Sequence, residues 1–229
     1  MSARSTSSWC HGLPGLLAGL ALAACSSQPP APDWQMNAHG AAQKAVEAYL
    51  SGESRVAGLE FARARQETAR TGQPALLARV LLLECAARVA SLDMAPCTDF
   101  DALREDAGAP ERAYAAYLAG QLPPQDVALL PEAQQAVAGV RGGSAAPVLA
   151  SLDDPLSRLV AAGVLLQTGA ADPEVVRAAI DTASTRGWRR PLLAWLRVDL
   201  RRAELAGDIP GAQRLHRRIT LVEQGGAGH

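Results

Sequence analysis

The stretch Ala45-Val46-Glu47-Ala48-Tyr49-Leu50-Ser51-Gly52-Glu53-Ser54-Arg55-Val56-Ala57-Gly58-Leu59-Glu60-Phe61-Ala62-Arg63-Ala64 carries the reading of the fold. Its first part is rich in alanine and leucine, with no proline and no β-branched run, a composition that favours helix. Ser51-Gly52 ends it, because glycine enters the left-handed conformation of a helix C-terminus without steric penalty. A second helix begins at once near Ser54, so the two must run antiparallel across a tight turn. Helices are predicted over 34–50 and 54–71, the second stopped by Gly72 with Pro74 beyond.

Outward from this hairpin the same rhythm continues. A helix over 74–91 carries Leu76, Leu77, Val80, Leu81, Leu82, Leu83, Cys85 and Val89 against only Arg79, Glu84 and Arg88. A helix apolar over most of its circumference is buried by its neighbours, which places this one at the centre of the N-terminal half. Residues 93–106 are acidic and contain Pro96, so they read as a connection with a turn or two of helix near 100–105. Asp99-Phe100-Asp101 lacks the glycine and closing glutamate of an EF-hand calcium loop. Helices are predicted again over 111–119 and 124–140, the latter interrupted by Pro131.

Gly142-Gly143-Ser144 marks a hinge, dividing 34–141 from a C-terminal subdomain over 144–223. There, Asp154-Pro155 and Asp172-Pro173 each set a capping acid before a proline at the first helical position, starting helices over 155–167 and 173–185. The next, 188–205, has Trp188, Leu192, Trp195, Leu196 and Leu200 as a core face with arginines opposite, and a last helix covers 210–223. The glycine-rich tail 224–229 is expected to be disordered. The sum is an all-α chain of about 8–10 helices, with strands disfavoured.

Ala48-Tyr49-Leu50-Ser51-Gly52 returns as Ala116-Tyr117-Leu118-Ala119-Gly120, an offset of 68, twice 34. A 34-residue period is that of the tetratricopeptide repeat, a helix-turn-helix unit that buries its apolar face by stacking on neighbours. That repeat places small residues, an aromatic and an alanine where this chain has Ala45, Gly52, Ala57, Phe61 and Ala64. The chain therefore resembles tetratricopeptide-repeat proteins clearly over 40–72 and weakly over 190–222, where Gly207-Asp208 is followed by Ala212, His216 and Ile219. After Gly120 only the turn is recognisable. The resemblance implies antiparallel hairpins stacked as a short superhelix with a protein-binding concave face. A generic bundle of α-hairpins satisfies the same spacing.

The N-terminus reads as an address. One positive charge, Arg4, precedes an apolar run over 13–24, too short for the roughly 20 residues that span a bilayer as helix. The run ends in Leu22-Ala23-Ala24-Cys25, which resembles the processing site of bacterial lipoproteins. The resemblance implies that 1–24 is a signal peptide that is removed, and that Cys25 is lipidated with acyl chains of the palmitate class. Residues 25–33 then form a proline-rich tether. Ser26, where an aspartate would mark inner-membrane retention, implies an outer-membrane lipoprotein facing the periplasm. In that oxidising compartment the two remaining cysteines, Cys85 and Cys97, suggest one disulfide, with two buried thiols as the alternative.

The chain offers little chemistry. It has no Gly-x-Ser-x-Gly nucleophile elbow, and Gly142-Gly143-Ser144 lacks the lysine of a phosphate loop. His39, His216 and His229 are too scattered to suggest a metal site, and no cofactor is expected. Charge, however, is uneven: residues 25–185 hold 12 basic and 19 acidic side chains, whereas 186–218 hold 9 arginines and 3 acids. Arg190, Arg197 and Arg201 fall on one helical stripe, and Arg214, Arg217 and Arg218 follow on the next helix. Such a face suits anionic lipid or an acidic protein, and it equally fits a solvated face paired with Asp199, Glu204 and Asp208. An extracytoplasmic address and few aromatics argue against nucleic acid. The expectation is a lipid-anchored envelope adaptor or assembly factor rather than an enzyme. The alternative is an envelope enzyme or enzyme regulator acting on peptidoglycan or lipid.

Overall fold

The computed structural model describes residues 31–140 and 143–225. Among them are eleven α-helices, one 3-10 helix and no strand. The N-terminal helices are α1 (Asp33–Ser51), α2 (Ser54–Ala69), α3 (Pro74–Ala90), α4 (Thr98–Asp101) and α5 (Ala109–Leu118). The 3-10 helix Pro124–Leu129 leads into α6 (Glu132–Ala138) and α7 (Ala146–Ser151). The chain closes with α8 (Pro155–Gln167), α9 (Pro173–Arg186), α10 (Arg189–Leu205) and α11 (Ile209–Gln224). Consecutive helices pack as stacked pairs, most extensively α1 with α2, α10 with α11 and α9 with α10. No described helix is long and apolar enough to cross a membrane.

The opening hairpin is built as its residues dictate. Ala45 and Ala64 are fully buried, and Ala57 and Phe61 are nearly so. Gly52 ends α1 at φ 94°, a left-handed conformation that favours glycine, with the guanidinium of Arg189 lying close over it. Helix α3, with nine buried residues, packs against α1, α2, α5 and α8. It crosses α8 at Gly163, where a Cβ would meet the Val89 carbonyl oxygen at 2.6 Å. Burial along α3 is wholly apolar, which makes it the centre of the core, because each buried valine or leucine contributes about 1.5–3 kcal/mol while the alanines let neighbouring helices come close.

One core draws on residues from Ala45 to Ile219, on both sides of the glycine-rich stretch, so 34–141 and 144–223 pack as parts of one compact body. Asp154 accepts the Ser157 N–H, Asp172 those of Glu174 and Val175, and Asp208 that of Gly211, the expected carboxylate caps and one more. Cys85 and Cys97 are joined, their Cα atoms 6.0 Å apart, tying α3 to α4. Closing a loop of this length stabilises by about 3 kcal/mol in the chain-entropy model.

Three expectations need correction. The helix over 124–140 is instead a 3-10 helix and a separate α6, because Pro131 lacks the N–H that would continue the ladder. The short α7 has no counterpart among the expected helices. In the last hairpin Ile219 is buried where the repeat spacing expects it, but Gly211 and Leu215 are buried in place of Ala212 and His216. His216 is exposed as a result.

Candidate functional site

Helix α5 and the 3-10 helix that packs on it are flanked by depressions. No residue of the 3-10 helix is buried, although six residues is long for that conformation. Depressions lie on three sides of it. The first, of about 360 Å³, is lined by Tyr117, Val127, Val137, Val164 and Leu165, between α5, α6 and α8. A second, also about 360 Å³, opens between Arg112, Ala116 and Leu129. The third, of about 530 Å³, runs between α3 and α5 and is lined by Leu82, Leu83, Tyr114, Leu129, Leu130 and Pro131. These volumes lie within the range of ligand and peptide pockets.

The polar groups around these depressions explain their shape. Tyr117 donates its hydroxyl to Gln134 Oε1 at 3.2 Å, and Gln134 Nε2 donates to the Ser157 carbonyl at 3.4 Å. Gln134 is buried, and this relay holds α5, α6 and α8 together beneath the first depression. Burial pushes the Tyr117 and Tyr114 hydroxyls well above the ordinary phenol range, so both remain neutral donors. At the rim of the third depression Arg79 Nε donates to Glu111 Oε1 at 2.8 Å. Burial disfavours the Glu111 carboxylate, yet hydrogen bonds from Arg79, its own backbone and Gly108 hold its pKa below the usual value. The third depression therefore offers aliphatic walls, the Tyr114 phenol and an ion pair at its rim, which suits an apolar segment with a polar edge. It offers no nucleophile and base in contact.

The arginines predicted as one basic face divide into three groups. Arg190 is structural: its Nε donates to the Tyr49 carbonyl at 2.6 Å, its Nη2 to Ser54 Oγ at 2.7 Å, and it lies 4.2 Å over the Tyr49 ring. Beside it, Trp188 Nε1 donates to both carboxylate oxygens of Glu47 at 3.0 Å. These contacts fasten the start of α10 to the α1–α2 turn. Arg197 pairs with Glu223 at 3.0 Å, and Arg201 lies 4.0 Å from Glu204, on one side of the last hairpin. Arg214, Arg217 and Arg218 are exposed on α11 and form no ion pair among the described residues. Arg190 thus leaves the proposed face, because its partners lie on α1 and α2.

Cys25 lies outside the described residues. The joined pair Cys85–Cys97 sits beside Arg88, whose Nη2 reaches Cys85 Sγ at 3.1 Å and the Pro96 carbonyl at 3.4 Å. Ala45, Gly52, Ala57, Phe61 and Ala64 lie in the α1–α2 hairpin and line none of these three depressions. No group of three or more His, Cys, Asp or Glu among the described residues is placed to hold a metal ion. No sequence motif marks Tyr114, Leu129 or Gln134 as site residues; the local signal is Pro123, Pro124 and Pro131, which set off a segment unable to continue as an α-helix. Comparison with protein-family models, curated proteins and solved structures finds no match to this chain.

Proposed function

We propose that this chain is a lipid-anchored cell-envelope adaptor or assembly factor that takes an apolar segment or helix of a partner protein along α5. The observation that carries this reading is the set of three depressions around a 3-10 helix with no buried residue. The 3-10 helix contributes Leu129 to two of them and Val127 to the other, so it already lies where a bound segment would lie. Stacked helix pairs supply the rigid walls such recognition needs. Leu22 to Cys25 supports the anchor, and a periplasm-facing outer-membrane address fits the sequence after it.

The test is affinity capture from envelope extracts with the anchor intact, comparing the native chain with Leu129→Arg. Leu129 is 37% exposed, so the substitution places a charge in the groove without emptying the core. A stoichiometric protein partner that is lost with Leu129→Arg supports the adaptor. No partner, together with turnover of a muropeptide or lipid, overturns it in favour of an envelope enzyme. Cys25→Ser tests the anchor separately: the protein should leave the membrane fraction, and retention through a salt wash refutes lipidation as the attachment.

A further inference from the structure

We infer that the outer face of α11, with the α10–α11 turn, is a contact surface for an anionic phospholipid bilayer. Arg214, Arg217 and Arg218 project from this helix, exposed and outside any ion pair among the described residues. Large aliphatic side chains stand among and beside them: Leu221 on the same helix is 70% exposed, and Leu205 and Ile209 at the turn are 73% and 68% exposed. The opposite side of α11 buries Gly211, Leu215 and Ile219, so the helix is fixed to the body and its outward face is permanent.

Of the acidic groups near this face, Asp199 lines one depression with Arg202, Arg214 and Arg218, where the arginines outnumber it, and the others are engaged elsewhere. Glu223 holds Arg197, Glu204 lies between Arg201 and His216, and Asp208 caps the helix start. Guanidiniums with interspersed aliphatics on one face of a helix match the two layers of a membrane surface. The arginines meet headgroup phosphates while their stems and the leucine and isoleucine side chains enter the acyl boundary. An acidic protein would complement the charge but would leave the three exposed aliphatics unexplained, so the bilayer is the occupant that uses both. The inference does not depend on acylation at Cys25, because every residue it invokes lies in the compact body.

The experiment is co-sedimentation of residues 26–229, unacylated, with vesicles of phosphatidylglycerol or of phosphatidylcholine. Binding to phosphatidylglycerol alone, weakening steeply with salt, is the expected result. The triple variant Arg214→Gln, Arg217→Gln, Arg218→Gln should weaken it on the order of a hundredfold. Leu221→Gln, at an exposed site, should weaken it severalfold while leaving helicity by circular dichroism unchanged. Equal binding to both vesicles, no binding, or undiminished binding by the triple variant would overturn the inference. So would its displacement by inorganic phosphate at constant ionic strength, which would indicate a free-anion site. Since the protein tested carries no lipid, none of these results bears on the anchor.

Discussion

Two segments of the chain begin with nearly the same five residues and end differently. After Ala48 to Gly52 the chain turns into α2, whose Ala57, Phe61 and Ala64 close against α1. After Ala116 to Gly120 the corresponding positions are Gln125, Leu129 and Glu132, and the chain forms a 3-10 helix that buries nothing. Both glycines adopt the left-handed turn, at φ 94° and 68°. The turn therefore licenses a hairpin, and the residues beyond it decide whether one forms. Where small residues and an aromatic follow, two helices interlock. Where polar residues and prolines follow, the first helix keeps an uncovered flank.

The strongest way to break the comparison is Phe61→Ala. If the first hairpin is held by its interlocked face, this variant should lose about 3–5 kcal/mol in denaturant unfolding. A loss below about 1 kcal/mol would show that Phe61 is no more than a peripheral filler. A smaller effect is expected at Asp172, whose carboxylate is held below its usual pKa first by the Ser144 hydroxyl and then by backbone N–H groups at the start of α9. A depressed carboxylate stabilises fully above its unfolded pKa and loses that contribution as pH falls through the folded value. Asp172→Ala should cost about 1 kcal/mol at neutral pH, a difference that shrinks in acid, whereas Asp172→Asn should keep most of the cap without the pH dependence. The smallest effect belongs to Leu129→Ala, which should change stability by no more than about 1 kcal/mol. Amides of 124–129 should exchange faster than those of α2, and comparable protection would erase the contrast.

Much of the architecture was legible in the chain. Asp154-Pro155 and Asp172-Pro173 announced helix starts because carboxylate caps and proline at the first position are local rules. Helix α3 announced its burial because so few of its residues are charged. The short α7 was not legible, since six residues show hardly two turns of periodicity. Nor was the fate of the arginines: Arg190, Arg197 and Arg201 share a helical stripe, and what separates Arg190 from the others is a tyrosine 141 positions earlier. The groove was hidden for the same reason, because Leu83, Tyr114 and Leu129 converge only once α3 and α5 are packed.

The clasp between Trp188 and Glu47, and between Arg190 and Tyr49, has a kinetic consequence. It joins positions 141 apart, and bringing such distant points together carries a large loop-closure entropy before any contact rewards it. Local hairpins such as α1–α2 and α10–α11 form early under that rule, and the clasp is set last. A chain in which 188–190 has not yet docked can form its first hairpin, but that hairpin is not yet fastened to α10.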